Sequence, residues 1–165
     1  MSNKKQEKIN IPKEYIDTLK KAKELYSNIF SFEIGLRLAI DKHLTEWIGK
    51  EWWNIRLSKD MPDIFKYAEE HKKQSSIINE NEINKSIHNI HFITIGHLSE
   101  IVKKYKETFI PEVFPNLHFF LGHIEYIIKI RNCCCHMHPN IDKEYIKTLK
   151  AETLILSKII NSKII

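Results

Sequence analysis

An all-α, single-domain bundle of about five or six helices is the fold that this sequence predicts, and three observations carry the prediction. Glycine and proline are scarce, four and five among 165 residues, so few positions invite tight turns or break a helix. Ile, Leu, Lys and Glu dominate, a mixture that favours helix over sheet. Apolar residues recur at three- and four-residue spacing in segments that open on capping residues. A chain of this length fits one domain and buries roughly 70% of its unfolded surface, so neither a disulfide nor a metal is needed to hold the core.

Residues 1–11 are polar and lysine-rich and are expected to form a flexible lead-in, with residues 12–165 making the helical domain. Pro12 suits a first helical turn, and Tyr15, Leu19 and Leu25, with Ala22 between them, give a 3.6-residue apolar stripe. Ser31 is expected to cap a second helix, with Phe32, Leu36, Ile40, Leu44 and Trp47 on one face and Gly49 at its end. Glu33 and Arg37 lie four apart, as do Arg37 and Asp41, which predicts surface ion pairs of about a few tenths of a kcal/mol. Trp52 and Trp53 fall in the turn behind Gly49. Followed by Phe65 and Tyr67, they and Trp47 read as core packing rather than as a platform for bases.

Asp60 is a good N-cap and Pro62 belongs in a first turn, so a third helix is expected to about Gln74. Residues 75–90 lack a period and read as a long loop. Thr94 caps a segment through Tyr105, Pro111 and Pro115 break the chain, and Asn116 caps the next helix. Asp142 caps a last helix carrying Tyr145, Leu149, Leu154, Leu156 and Ile160. There is no internal repeat and no low-complexity linker.

Lys and Arg number 26 against 21 Asp and Glu, a formal charge of +5. That balance suits a polyanionic partner, although lysine-rich solvated helix faces give the same sum. Met1-Ser2-Asn3-Lys4-Lys5 leads into no apolar stretch, so no signal peptide is expected. No apolar run approaches the ~18 residues of a membrane span, and the chain is expected to be soluble, cytoplasmic and without a membrane partner. Three adjacent cysteines, Cys133, Cys134 and Cys135, cannot make a disulfide framework. With His136 and His138 they invite a metal reading, but consecutive helical residues splay by about 100°, so three such thiolates do not converge on one ion. No metal and no cofactor is expected. His88, His91 and His97 are scattered and form no ligand pair four apart, while His118 and His123 lie upstream of the polar end of their helix.

The segment Arg131-Asn132-Cys133-Cys134-Cys135-His136 stands out because Leu117, Phe120, Leu121, Ile124, Ile127 and Ile128 lead into it along one helical face. In a continuing helix Asn132 and His136 share a face, Arg131 projects at the neighbouring angle, and Cys134 and Cys135 turn back toward the bundle. A guanidinium, an amide and an imidazole would then share one rim. Cutting RNA without metal needs a base for the 2′-hydroxyl, charge stabilisation at the phosphate and an acid for the departing oxygen. Histidine titrates near neutrality and arginine forks onto phosphate oxygens. Such a polar group can equally cap helix carbonyls and bind a neighbouring carboxylate. Glu125, six residues before Arg131, reads as a solvated carboxylate, with orientation of that arginine as the other reading.

The R-N-x-x-x-H pattern resembles the signature of the HEPN superfamily. Phe32-Glu33-x-x-Leu36-Arg37, Trp52-Trp53 and Thr94-Ile95-Gly96-x-Leu98-x-x-Ile101 are similar to the N-terminal helices of Abi-like HEPN proteins. The similarity spans roughly residues 30 to 160. It implies an all-α domain and a metal-independent endoribonuclease of toxin–antitoxin, abortive-infection or antiviral defence. Arg131, Asn132 and His136 would be its catalytic residues, RNA its substrate, and an antitoxin or regulatory protein a further partner. It also implies a composite site at a homodimer interface, which supplies the second acid–base group that one His136 lacks. The alternative within the same family is a catalytically silent module that dimerises and binds RNA or protein. One departure stands out: where related toxins carry a modified tyrosine two residues after the motif histidine, this chain has His138, so neutralisation by tyrosine modification does not follow from the resemblance.

Overall fold

The computed structural model describes residues 11–78, 87–135 and 142–164, and every regular element among them is helical. Helix α1 runs through Lys13–Trp47 and a π-helical turn, Trp52–Leu57, follows Gly49. Helix α2 is Pro62–Ile78 and a 3₁₀ turn occupies Asn89–Phe92. Helix α3 is Ile95–Lys104, α4 is Leu117–Cys135 and α5 is Lys143–Lys163. No helix among the described residues is long and apolar enough to cross a membrane.

The first two expected helices are one. Ser31 lies inside α1 and caps nothing, because Leu25, Ile29, Phe32, Leu36, Ile40 and Leu44 form one unbroken buried ridge through it. Burial of that ridge outweighs the modest helix cost of Ser27, Asn28 and Ser31. The resulting helix of 35 residues is about 52 Å long and is the spine of the molecule. Two stripe assignments change with it. Tyr15 and Leu19 are exposed, at 37% and 50%, and Thr18 takes the inward position instead. Trp47 is also exposed, whereas Trp52 and Trp53 are fully enclosed, as core packing requires. Gly49, at φ +117°, makes the reversal after α1 that a side chain would strain.

Asp60 does not cap α2. The helix begins at Pro62, whose ring biases Met61 away from helical geometry, and Asp60 instead accepts from Arg56 Nε at 2.9 Å and from the Tyr105 hydroxyl at 3.4 Å. Burial and that carboxylate push the Tyr105 hydroxyl pKa up to about 12. Helix α2 continues four residues past Gln74, so the expected loop over 75–90 begins later; residues 79–86 lie outside the described residues. Three expected caps form. Thr94 Oγ1 accepts from His97 N at 3.2 Å while His97 Nδ1 accepts from Thr94 N at 3.4 Å, a reciprocal box in which histidine replaces glutamate. Asn116 Oδ1 accepts from Phe119 N at 2.8 Å, and Asp142 Oδ1 from Glu144 N at 3.2 Å.

Helices α4 and α5 pack on each other and α5 packs along α1, so α1, α4 and α5 enclose Leu36, Phe120, Ile124, Ile127, Leu149 and Leu156. Helix α3 closes the same core with Leu98, Ile101 and Val102. This packing brings the end of α4 against the middle of α1.

Candidate functional site

Phe120, Ile124 and Ile127 are each fully buried, and Arg131 is the next step of the same ridge. Its guanidinium therefore enters the seam between α4 and α1 instead of projecting straight into water. A charge in that position requires a partner. Glu33 of α1 supplies one: its Oε1 accepts from Arg131 Nε at 3.2 Å. The other oxygen, Oε2, accepts from both Nη1 and Nη2 of Arg37 at 3.3 Å. Arg37 Nη2 also donates to the Ile93 carbonyl at 2.8 Å, which ties the segment after the 3₁₀ turn to α1.

The pair expected on the surface is thus interior: the side chains of Glu33 and Arg37 are 13% and 10% exposed. Asp41, expected to face Arg37, accepts instead from Trp52 Nε1 at 2.9 Å and sits 3.7 Å from His88 Nε2. Glu125 is exposed and makes no ion pair with Arg131 among the described residues. The carboxylate that orients the motif arginine is Glu33. Sequence spacing does not show it, because the two residues lie 98 positions apart and only the packing of α4 on α1 brings them together.

One carboxylate between two guanidinium groups leaves a net positive charge. Arg131 carries the open side of it, at 30% side-chain exposure against 10% for Arg37. Its Nη1 donates to Asn132 Oδ1 at 3.4 Å, and Asn132 is exposed. The structure therefore brings two of the three expected site residues together at the surface end of α4, with the guanidinium plane fixed from behind by Glu33. A fixed fork and an adjacent amide suit a tetrahedral anion such as a phosphate group. His136 and His138 lie outside the described residues, as do the side chains of Cys134 and Cys135. Cys133 is half-buried at the last turn of α4.

Other histidines have local roles. His43 is buried in α1, its Nε2 donating to the Thr108 carbonyl at 2.8 Å and its ring 4.3 Å from that of Phe109. Burial holds its pKa below the ordinary value, and the Thr108 hydrogen bond opposes this only in part. His97 is shifted down by burial and by His71 nearby. His123 of α4 pairs with Glu152 of α5, with Phe119 edge-on at 4.4 Å. No group of three or more His, Cys, Asp or Glu side chains suited to a metal ion occurs among the described residues. No protein-family model, curated protein or solved structure matches this chain.

Proposed function

We propose that this chain is a metal-independent endoribonuclease of HEPN type with a toxin or anti-phage defence role, its site completed across a homodimer. The observation that carries the reading is the Glu33–Arg131 pair. It presets a guanidinium beside Asn132 at the surface end of the motif helix, where charge develops on a phosphate during cleavage. The all-helical fold agrees with what the resemblance implies.

In the proposed reaction His136 of one copy takes the proton of the ribose 2′-hydroxyl, and the 2′-oxygen attacks phosphorus. The bond to the 5′-oxygen breaks, and that oxygen receives a proton from a second copy's His136. Arg131 holds the two non-bridging oxygens as negative charge builds on them, and Asn132 orients the phosphate. Chain ends are a 2′,3′-cyclic phosphate and a 5′-hydroxyl. Such cleavage is salt-sensitive, because the RNA backbone must shed counterions to bind.

A second reading has its own observation. Arg131 already has a structural partner in Glu33, so the motif arginine would persist in a silent module that only dimerises and binds RNA or a partner protein. Expression in a bacterial host separates the two. The enzyme reading expects growth arrest with loss of cellular RNA, relieved by His136→Ala and by Arg131→Ala at equal protein level. Growth unaffected by the parent chain, with intact RNA, favours the silent module.

A further inference from the structure

The outward face of α1 carries apolar side chains in a repeat that the core does not use. Ile16, Leu19, Tyr26 and Phe30 are 41%, 50%, 61% and 54% exposed, and Lys23 stands between them. The steps from 16 to 19, 23, 26 and 30 alternate three and four residues, the a/d spacing of a coiled-coil seam. The buried ridge of α1 lies on another side, at Leu25, Ile29, Phe32 and Leu36. A solvated helix has no need of a second apolar stripe.

We infer that this stripe is a seam that joins two copies of the chain, α1 against α1, in parallel. Three features select a second copy as the occupant. The stripe is self-complementary in kind, with β-branched Ile16 at an a position, Leu19 at d and one lysine at a, a pattern that favours two strands and marks their register. Its area reaches the lower bound. Aromatic side chains bury ~150–250 Å² each and Ile and Leu somewhat less, so five half-exposed ones, Tyr15 included, offer on the order of 400–500 Å² per copy, up to the ~1,000 Å² total at which a specific interface begins.

The third feature is continuity. The next two steps of the same repeat are Glu33, which accepts from Arg131, and Arg37, which donates to Glu33; both turn into the interior, so the exposed stripe ends at Phe30, beside that pair. In parallel, the two Glu33–Arg131 pairs flank the end of one seam. An antiparallel seam centred on Lys23 would hold them about 30 Å apart along the helix axis. The choice of direction rests on the composite-site reading above; the seam itself does not.

Sedimentation velocity on the intact chain tests both. The parent is expected to be a dimer at micromolar concentration. Leu19→Asp and Phe30→Asp are each expected to yield folded monomers, with unchanged helical circular dichroism, while Leu154→Asp on the exposed face of α5 leaves the dimer intact. Lys23→Leu removes the lysine that meets its own copy and should tighten the dimer tenfold or more. Direction is read by mixing Phe30→Asp with Phe30→Lys: in parallel these positions face each other and the mixture regains dimer mass. A monomeric parent, or a dimer that survives both aspartates, overturns the seam; a mixture that stays monomeric overturns the parallel arrangement. RNA cleavage retained by a Leu19→Asp monomer would contradict the composite site alone, so the two failures are told apart.

Discussion

Glu33 and Arg131 lie 98 positions apart and meet at 3.2 Å, joining the middle of α1 to the last turn of α4. The contact has two consequences. It neutralises a charge that the α4 ridge would otherwise drive between helices, and it fixes the direction in which the rest of the guanidinium faces. Stability and the proposed site therefore meet in one carboxylate.

Glu33→Ala is expected to cost more stability than Arg131→Ala. Removing Glu33 leaves Arg37, whose side chain is only 10% exposed, with the Ile93 carbonyl but without its carboxylate, and breaking one member of a buried ion pair typically costs about 3–5 kcal/mol. Removing Arg131 leaves Glu33 still paired with Arg37, and loses a hydrogen bond to Glu33 and an exposed one to Asn132 from a side chain 30% exposed, about 1 kcal/mol. Urea unfolding followed by circular dichroism gives both values. Equal costs would mean that Glu33 and Arg37 are not interior in solution.

The two buried tryptophans should respond differently to phenylalanine. Trp52 Nε1 donates to Asp41 at 2.9 Å, whereas Trp53 Nε1 is buried with no acceptor among the described residues. Trp52→Phe loses a charge-assisted hydrogen bond as well as volume, and Trp53→Phe removes an unpaired donor. In thermal melts Trp52→Phe is expected to be the worse of the two by about 1–2 kcal/mol. A reversed order would contradict the Asp41 contact.

Stability should fall on mild acidification. Burial holds the His43 pKa in the fold below the ordinary value of about 6.5, to which it returns when the chain unfolds. Above that value neither state takes up a proton and the group contributes no pH dependence. Below it the unfolded chain binds a proton that the folded chain refuses, so stability declines from about pH 6.5 downward until His43 titrates in the fold. His97 acts in the same direction. Melting temperatures between pH 7.5 and 5.5 should drop, and His43→Gln should flatten the slope. A slope that His43→Gln leaves unchanged would place the acid sensitivity elsewhere.

Helix identity and most caps were legible in the sequence because they are local: Thr94, Asn116 and Asp142 sit next to the groups they satisfy. The break at Ser31 misled because a serine signals a cap only where no buried ridge continues past it, and here Leu25 to Leu44 continue. Asp60 misled because its carboxylate found Arg56 and Tyr105, a partner 45 residues away. At the candidate site, the placing of Arg131 and Asn132 side by side at a helix end was legible in the sequence. Glu33 was not, since its spacing to Arg37 fits a surface pair equally well and only the packing of α4 on α1 turns it inward. The stripe of Tyr15, Leu19 and Leu25 divides in the same way, Leu25 buried and the other two exposed: periodicity shows that a stripe exists, not what covers it.

The most direct test of the proposed function is the chemistry of the cut ends. The purified chain is incubated with a single-stranded RNA of mixed sequence in excess EDTA, and the products are identified by mass. The proposal predicts fragments ending in 2′,3′-cyclic phosphate, no cleavage of the same sequence made as DNA, and no cleavage by Arg131→Ala or His136→Ala protein that remains folded. Intact RNA, cleavage that requires an added divalent metal, or a His136→Ala protein as active as the parent would contradict it.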